Sequence, residues 1–401
     1  MKRIWIVTEL FYPDETSTAY ILTEIAKGMS KKYEVGVICG SRSYDEKETE
    51  KKSSFFNERI IIKRVSMPRL NKNKLFFRLV RFVLLTIQLS FVLLQNLKKG
   101  DSIFVVTNPA PLLLVVACIK RLKGNPYYIL VHDVFPENMI PAGIVSSSTS
   151  CLYVLLKRMF DKAYRQADVL IVLGRDMKEV MQKKLAQNKR KTQVEIVENW
   201  AEVGAIFPHD SKRLKDFTVD TKIDIQYAGN LGRVQGLMEW LSLIKEVNNP
   251  CLRYSFWGKG ALRETMVRFM EDNNLKDCIY FKGEYRREEQ NVVLGNCDIA
   301  LVTLAKGMYG LGVPSKSYNI MAAGKPILFI GDLRSEIALE IQENEIGFCF
   351  DAEDVSKIQT FLSGLSFVSI PKLREMGGRA RKLAETRYSK EIIINKYLHL
   401  L

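Results

Sequence analysis

The hydrophobic positions of this chain form short continuous runs that alternate with longer stretches of helical periodicity. In the first half, the runs have the length and the β-branched and aromatic content of buried strands. They lie at residues 4–8, 35–39, 60–65, 103–107, 127–131, 169–173 and 194–197. Helical patterns fill the intervals, notably at residues 19–31, 161–167 and 176–185. This alternation predicts an α/β domain built on a mainly parallel sheet.

Residues 200–222 interrupt the pattern with a proline and a run of charges, which is typical of a linker. A second series of strand-like runs follows at residues 225–228, 254–257, 279–281, 300–304, 327–330 and 348–350. The predicted fold class is therefore α/β, with two doubly wound, Rossmann-like domains facing each other across a cleft. We expect domains at residues 1–200 and 223–387, joined by a linker at 201–222. A final helix at about 388–401 is expected to pack back on the first domain.

Composition agrees with two soluble domains. At 401 residues the chain exceeds what one core usually holds, and 47% hydrophobic with 26% charged residues is ordinary for an enzyme. Its seven cysteines are scattered and form no Cys-x-x-Cys pair, so neither a zinc site nor a disulfide framework is indicated. The apolar run at 4–8 is too short for a signal peptide, and we expect a cytoplasmic protein.

The net charge of +15 is unevenly placed along the chain. Residues 59–100, here called the basic segment, contain ten lysines or arginines and no acidic residue. This predicts an anionic partner, which can be a phosphate-bearing substrate, an anionic lipid or a nucleic acid. A solvated basic face is an equally good interpretation.

Within the basic segment, residues 75–97 predict a strongly apolar helix. Its uncharged stretch from Phe82 to Leu94, before the polar Gln95 and Asn96, has 13 residues, whereas a bilayer-spanning helix needs about 20, so a spanning helix is not expected. Two interpretations remain, of which the first is slightly favoured. The helix is buried and covers the first sheet, or its basic start, with Phe76 and Phe77, lies on lipid headgroups.

Ligands of open α/β sheets bind beyond the carboxyl ends of the strands, so the residues after each strand are candidate site residues. After the first strand, Thr16, Ser17 and Thr18 can cap the next helix and offer hydroxyl and N–H groups to an anion. A plain helix cap is the alternative. No Gly-x-Gly-x-x-Gly sequence occurs there, so a dinucleotide site in this domain is not indicated.

His132 follows the fifth predicted strand and is flanked by Asp133 and Glu137. The chain has only three histidines, and this one alone lies at the carboxyl end of a strand. Histidine suits polar contact and proton transfer near neutral pH. We predict a functional role for His132, with a structural His–Asp pair as the alternative.

The second domain places glycines or phosphate-type chemistry after four of its strands. Residues 229–236 form a glycine loop whose backbone can approach a phosphate closely. Later strands are followed by Gly258 with Lys259, by Gly283 with Glu284, and by the loop 305–312. That loop leads into a helix start, where Ser315 can cap the helix and Lys316 lies beside an N-terminus that favours anions.

These segments together resemble a bacterial family 4 glycosyltransferase with the two-domain GT-B architecture, and within it the colanic-acid and O-antigen enzymes. The order of the segments matches over nearly the whole chain. They are His132-Asp133-Val134-Phe135-Pro136-Glu137, Asn199-Trp200, Gly229-Asn230-Leu231-Gly232-Arg233-x-Gln235-Gly236, Pro314-Ser315-Lys316 and Ala323-Gly324-Lys325-Pro326.

The resemblance implies a nucleotide-sugar donor in the second domain, an acceptor in the first, retention at the anomeric carbon, and neither metal nor cofactor. No Asp-x-Asp sequence occurs, which agrees with the last point. It implies catalytic roles for His132, Asp133 and Glu137, and acceptor contacts at residues 16–18. The implied donor-binding residues are Gly229, Asn230, Gly232, Arg233, Gln235, Gly258, Lys259, Glu284, Gly310, Leu311, Gly312, Ser315, Lys316, Tyr318 and Asn319.

The chain departs from the family pattern in two places. The usual pair of glutamates eight residues apart falls here on Leu311 and Asn319. Asn319 would then meet the ribose with an amide, and the sugar would meet backbone groups of residues 310–312. The usual Arg and Lys of the glycine loop fall on Asn230 and Gln235. Phosphate charge would therefore be met by Arg233, Lys316 and helix N-termini.

The sequence thus predicts a retaining, metal-independent glycosyltransferase of surface polysaccharide assembly, such as lipopolysaccharide or capsule. The donor would be UDP- or GDP-linked, and the acceptor a saccharide on a polyprenyl diphosphate. The basic segment would contact the anionic inner face of the cell membrane. The alternatives are a GT-B-fold UDP-sugar epimerase and a basic nucleic-acid-binding protein. No nucleic-acid motif supports the second alternative, so no nucleic-acid partner is expected.

Overall fold

A computed structural model describes residues 3–14, 16–40, 58–66, 75–186, 192–208 and 221–401. Two predicted features lie partly outside these residues. They are positions 209–220 of the linker and positions 67–74 of the basic segment. The described residues form two α/β halves, one on each side of that linker.

The first half contains a parallel sheet of seven strands in the described residues. Its strands are β1 (Arg3–Thr8), β2 (Glu34–Gly40), β3 (Ile60–Val65), β4 (Ser102–Val106), β5 (Tyr127–Leu130), β6 (Val169–Val172) and β7 (Gln193–Ile196). They are ordered β3-β2-β1-β4-β5-β6-β7, and every neighbouring pair is parallel. The order reverses between β1 and β4, which opens a crevice at their carboxyl ends.

In the described part of the first half, five helices cover this sheet. They are α1 (Ser17–Met29), α2 (Leu75–Asn96), α3 (Pro111–Lys123), α4 (Cys151–Tyr164) and α5 (Arg175–Leu185). Right-handed crossovers place α2 to α5 on one face and α1 on the other. In agreement, α2 packs on α3, α3 on α4 and α4 on α5.

The helix predicted at residues 161–167 is wrong in both of its bounds. The helix α4 begins ten residues earlier, at Cys151, and ends at Tyr164. Ser150 caps its start, since the Ser150 hydroxyl accepts a hydrogen bond from the Tyr153 N–H at 3.2 Å. Apolar residues occur on both the buried and the exposed sides of α4, which weakens the 3.6-residue period that would have revealed it.

The second half contains a parallel sheet of six strands. They are β8 (Ile223–Ala228), β9 (Leu252–Trp257), β10 (Ile279–Gly283), β11 (Ile299–Thr303), β12 (Ile327–Ile330) and β13 (Gly347–Phe350), in the order β10-β9-β8-β11-β12-β13. The order reverses between β8 and β11, so the glycine loop and the loop 305–312 flank the switch point. The helices are α6 (Leu237–Ile244), α7 (Arg263–Asp272), α8 (Gln290–Gly295), α9 (Lys316–Ala322), α10 (Glu336–Asn344), α11 (Val355–Gly364), α12 (Ile370–Arg387) and α13 (Lys390–Leu400).

The chain passes between the halves a second time near its end. Ala201 forms a parallel bridge with Ser389, and its N–H donates to the Tyr388 carbonyl at 2.7 Å. The following helix, α13, packs on α1, where a Cβ atom on Gly28 would lie 2.3 Å from Ile394. Only glycine allows this approach. The last helix therefore contacts the first half, while the predicted domain boundaries stay predictions.

Helix α2 buries one side against the sheet through Leu85, Leu89 and Leu93. Its other side exposes large apolar residues, so burial against the sheet does not account for that side of the helix. The exposed residues are Val83, Leu84, Ile87, Phe91 and Leu94. Among the described residues, no helix combines the length and the apolar character that crossing a bilayer requires.

Candidate active site

A cavity of about 250 Å³ lies between the carboxyl ends of the two sheets, and we call it the cleft cavity. Residues of both halves and of the crossing segment line it. They are Ser17, Tyr20, Ile21, Asn199, Trp200, Glu202, Ala228, Gly229, Tyr285, Arg287, Gln290, Ser315, Lys316 and Asn319. A site at this position is what two doubly wound sheets facing each other predict.

The amine of Lys316 is the central basic group of the cleft cavity. The residue as a whole is half-buried, but its Nζ atom is buried and has no hydrogen-bond partner among the described residues. It lies 3.4 Å from the ring centroid of Tyr227. Burial lowers the pKa of Lys316 well below its usual value. Because an unpaired buried ammonium is costly, this amine is suited to hold an anion.

The backbone of two glycines packs beside the Lys316 side chain. Gly229 has φ +153°, and a Cβ atom there would lie 3.9 Å from the Lys316 Nζ atom. Gly258 has φ +122°, and a Cβ atom there would lie only 2.0 Å from the Gly229 carbonyl oxygen. The two loops therefore pack backbone to backbone, which leaves room for a ligand beside Lys316.

The rest of the glycine loop lies beside the cleft cavity rather than in its lining. Asn230 and Gln235 approach Gly232 from two sides, within 2.7 Å of where its Cβ atom would stand. Arg233 is exposed. Lys259 forms an exposed ion pair of 2.6 Å with Glu284. The predicted donor contacts of these residues stay predictions.

Asn319 joins the cavity wall to the crossing segment. Its Oδ1 atom accepts a hydrogen bond from the Glu202 N–H at 3.0 Å, and its Nδ2 atom donates to Gln290 Oε1 at 3.3 Å. Tyr318, the preceding residue of α9, is buried, and its ring centroid lies 5.1 Å from that of Tyr388. Tyr318 therefore packs α9 against Tyr388 and does not line the cavity.

Several cavity residues were not predicted from the sequence. Tyr20 and Trp200 both donate hydrogen bonds of 2.6 Å to Glu202. Arg287, from the second half, stacks across the cleft on the Tyr20 ring at 3.3 Å from its centroid. The position of Tyr20 one helical turn after Ser17 was a usable signal, because both lie on one face of α1. Nothing in the sequence pattern marked Arg287.

His132 lies where the first half meets the loop at residues 310–312 of the second half. The residue is half-buried, and its Nε2 atom is buried without a hydrogen-bond partner in the described parts of the chain. Burial lowers the pKa of His132 from its usual 6.5 to about 4, so the imidazole is neutral at pH 7. Desolvation of its carboxylate likewise raises the pKa of the neighbouring Asp133, although much of the residue's surface is exposed. His132 does not belong to the cavity lining itself.

The loop at residues 310–312 is the partner of the His132 loop. The Val134 N–H donates to the Leu311 carbonyl at 3.0 Å. A Cβ atom on Gly312 would lie 3.3 Å from the His132 carbonyl oxygen. The structure thus brings the predicted catalytic loop against the predicted sugar-binding loop.

Glu137 lies in an ion-pair cluster behind the His132 loop. It pairs with Lys184 at 2.6 Å and Lys157 at 2.9 Å, and Lys184 also pairs with Asp161 at 2.6 Å. These contacts hold the end of the loop on α4 and α5. The catalytic role predicted for Glu137 stays a prediction, and its contacts are those of a positioning residue.

The three predicted acceptor residues occupy different positions at the start of α1. Thr16 caps the helix, since its hydroxyl accepts from the Ala19 N–H at 3.3 Å. Ser17 lines the cleft cavity, and Thr18 is half-buried beside it. Ser17 is therefore the one of the three that lies where a ligand can reach it through the cavity.

A second contact joins the halves where the starts of α5 and α10 meet. The Asp176 carboxylate accepts backbone hydrogen bonds from Glu336 and Gly310, and the Glu336 carboxylate accepts one from the backbone N–H of Arg175. The Arg175 guanidinium pairs with Glu336 at 3.1 Å and with Glu343 at 2.6 Å. Each carboxylate thus caps the helix that carries the other.

No cluster of three or more metal-ligating side chains occurs in the described residues. Metal independence stays a prediction. The polar groups that can meet a ligand in the cleft cavity are amine, guanidinium, amide and hydroxyl groups and one carboxylate, Glu202.

Two doubly wound halves with a cavity between their carboxyl ends define the GT-B class of glycosyltransferase fold. The structure of HepE from Anabaena in complex with UDP has this fold. It matches 100% of this chain and 99% of HepE, with a TM-score of 0.68 and 14% identity.

Two relatives identify the family. The chain is 33% identical over 400 residues, 99% of this chain and 97% of the relative, to the probable glycosyltransferase WbjE of Pseudomonas aeruginosa. It is 22% identical over 290 residues, 70% of this chain and 69% of the relative, to the putative colanic acid biosynthesis glycosyl transferase WcaI of Escherichia coli. No protein-family model matches the chain.

The chain therefore belongs to the bacterial GT-B glycosyltransferases of polysaccharide biosynthesis that resemble the colanic-acid enzymes. The resemblance seen in its sequence motifs is confirmed, and so is the α/β fold class. Neither the epimerase nor the nucleic-acid-binding alternative is favoured by these relatives.

Proposed function

We propose that this protein transfers a sugar, with retention of configuration and without a metal or other cofactor, from a UDP- or GDP-linked donor. The observation that carries the proposal is the buried Lys316 amine, which has no partner among the described residues and lies under the glycine backbone of Gly229. A diphosphate would give this amine the anionic oxygens that the protein does not supply. The UDP bound by the structurally similar HepE supports a uridine nucleotide.

The nucleoside would lie along the wall formed by Tyr285, Gln290 and Asn319. These residues present an aromatic ring and two amides, which suit a base and ribose hydroxyl groups. Arg287 and Tyr20 would close over it from opposite sides of the cleft, since they already stack there. The domain contact and the nucleotide site would then share residues.

The reacting sugar would extend from Lys316 towards the loop at 310–312 and His132. A neutral imidazole can donate or accept a hydrogen bond to a sugar hydroxyl without attracting the diphosphate to itself. Lys316 would stabilise the negative charge that develops on the leaving phosphate. We assign no enzyme nucleophile, so the leaving phosphate would take the acceptor proton on the same face of the sugar.

The acceptor would be a saccharide on a polyprenyl diphosphate, and it would enter beside Ser17 on the first half. The enzyme would then act at the inner face of the cell membrane during assembly of a surface polysaccharide. The basic residues of the first half support an anionic surface as its partner.

Calorimetric titration with UDP, GDP and dTDP tests the donor site directly, with EDTA present to test metal independence. We expect one nucleoside diphosphate to bind and EDTA to change neither its affinity nor the transfer rate. Transfer from the matching nucleotide sugar is then followed by mass spectrometry, and the anomeric configuration of the product by NMR. Absence of binding by all three nucleotides contradicts the donor site, and an inverted product contradicts retention.

A further inference from the structure

The outer side of α2 exposes an unusually apolar surface for a helix that packs on a sheet. Its five exposed apolar residues lie within one stripe, opposite the buried Leu85 and Leu89. Phe91 is 60% exposed and Ile87 is 58% exposed. A helix that is apolar on both sides is normally covered on both sides.

The apolar surface continues across the neighbouring helices. Helix α2 packs on α3, and α3 packs on α4. On α3, Leu122 is 84% exposed. On α4, Leu152, Leu155 and Met159 are exposed with the spacing of one helical face. We call the exposed apolar residues of α2, α3 and α4 the three-helix face, and a monomer rarely exposes so many together unless the surface has a partner.

The charged residues around the three-helix face have one sign. Helices α2 and α3 contain no aspartate or glutamate, and the single acid of α4, Asp161, pairs with Lys157 at 2.9 Å and with Lys184 at 2.6 Å. The exposed basic residues on or directly after these helices are Lys98, Lys99, Arg121, Lys123, Arg158 and Lys162. Apolar residues bordered by cations complement the boundary between acyl chains and anionic headgroups.

The contact surface differs from the one that the sequence predicted. In the basic segment, Lys63 donates to Asn96 Oδ1 at 2.6 Å, Arg64 to the Tyr12 carbonyl, and Arg81 to Glu9 at 2.9 Å. These cations are bound inside the protein and are not presented to a headgroup. The exposed cations of the three-helix face are Lys98 and Lys99, at the end of the basic segment, together with exposed lysines and arginines of α3 and α4 outside that segment.

We infer that the three-helix face lies on an anionic lipid bilayer, with its apolar residues among the headgroups and the surrounding lysines and arginines on the lipid phosphates. The inference deepens the proposed function and rests on it, because a lipid-linked acceptor would lie in the same bilayer. A second copy of the chain fits the face less well. Pairing two such faces would bring their basic borders together, and like charges repel across an interface.

Flotation of the full-length protein with lipid vesicles tests the inference. The vesicles contain phosphatidylcholine alone or phosphatidylcholine with phosphatidylglycerol, at low and high salt. We expect binding to the anionic vesicles that weakens at high salt. The double variant Ile87→Ser/Phe91→Ser should lose at least about tenfold in partition, because two large apolar side chains no longer enter the bilayer. The double variant Lys98→Gln/Lys99→Gln should lose roughly fivefold per charge at low salt.

Val368→Ser is the matched control, because Val368 is an apolar residue of the second half that is 67% exposed. It should bind vesicles like the unchanged protein, and circular dichroism checks that all variants are folded. Equal vesicle binding by Ile87→Ser/Phe91→Ser and the unchanged protein overturns the inference. A dimer seen by sedimentation that Phe91→Ser dissociates would assign the face to a second copy instead.

The same samples separate this inference from the proposed function. If the unchanged protein binds a nucleotide and transfers sugar but binds no vesicles, the membrane contact is wrong and the donor site stands. If it binds vesicles but no nucleotide, the donor site is wrong and the membrane contact stands. The apolar variant should keep its nucleotide affinity, since α2 contributes no residue to the cleft cavity.

Discussion

The two walls of the cleft treat charge in opposite ways. On the second half, Lys316 keeps a buried amine without an anionic partner in the described residues, supported by the ring of Tyr227 and by glycine backbone. On the first half, His132 presents a half-buried, neutral imidazole, and its loop is held by the ion pairs of Glu137. The comparison indicates that one wall is built to receive negative charge and the other to stay neutral beside it.

The ion pairs around the two walls also differ. No ion pair of Lys316 occurs in the described residues, so a ligand does not have to displace one. The His132 loop takes its rigidity from Lys157 and Lys184, which lie behind it and away from the cleft cavity. A charge that holds a loop in place is thus kept apart from a charge that meets the ligand.

The largest expected effect concerns the contribution of His132, on the neutral wall, to the free energy of unfolding. An unfolded histidine binds a proton below about pH 6.5, whereas folded His132 stays neutral down to about pH 4. The unfolded state therefore binds more protons in this window, and the free energy of unfolding falls as the pH falls. His132 should contribute a loss of about 3 kcal/mol between pH 6.5 and 4.

Urea unfolding of the protein and of His132→Gln at a series of pH values measures this loss. The difference between the two proteins removes the contributions of other groups, including the raised pKa of Asp133, which acts in the opposite direction. If the free energy of unfolding has the same pH dependence in both proteins, the pKa of His132 is the same in the folded and the unfolded state, and the expected contribution is absent.

The second effect concerns the charged wall. Lys316→Ala should weaken nucleoside diphosphate binding by about ten- to a hundredfold, because a charge-assisted hydrogen bond contributes roughly 1.5–3 kcal/mol. Calorimetry measures the affinity, and kcat/KM should fall by a similar factor. Lys357→Ala, which removes an exposed lysine of α11 that does not line the cavity, is the control. Equal affinities for both variants would exclude the role of Lys316.

A third effect separates the two walls in catalysis. His132→Ala should lower turnover by about tenfold, the value of one lost hydrogen bond of roughly 1.4 kcal/mol, while nucleotide affinity changes little. Turnover at saturating donor is compared with nucleotide binding by calorimetry. The assignment fails if binding collapses while the saturated rate is kept.

The smallest effect concerns charges that lie beside the cavity. Lys259→Ala removes an exposed ion pair with Glu284, which contributes about 0–1 kcal/mol. We expect nucleotide affinity to change by less than about threefold. A loss as large as that of Lys316→Ala would mean that Lys259 moves into the site when the nucleotide binds, and calorimetry of both variants decides this.

Much of the fold could be predicted from the chain because most of its strands are buried on both faces. The thirteen strands of the described residues all fall within two residues of the predicted apolar runs, since continuous apolar runs are typical of covered parallel sheets. Helix α4 was placed wrongly because its exposed apolar residues Leu152, Leu155 and Met159 weaken the helical period. The same exposed apolar residues of α4 form part of the surface for which we infer a lipid contact.

The site was predictable where backbone chemistry marks it. Glycines after strands and a serine–lysine helix start identified Gly229, Ser315 and Lys316, which the structure brings together in one cavity. Pairings between distant segments could not be predicted, such as Arg287 on Tyr20, because sequence spacing carries no information about contacts across a cleft. For the same reason, the ion pairs that Glu137 forms could not be predicted from the sequence.

The reciprocal caps of Asp176 and Glu336 have a consequence for motion of the two halves. Separating the starts of α5 and α10 would remove both caps in one event, because each carboxylate belongs to the opposite helix. Intermediate separations would leave amide groups and buried carboxylates unpaired, which disfavours gradual widening. The cleft would then open in a single two-state transition. Hydrogen exchange at the amides of Arg175 and Glu336 should accordingly follow one shared opening rate.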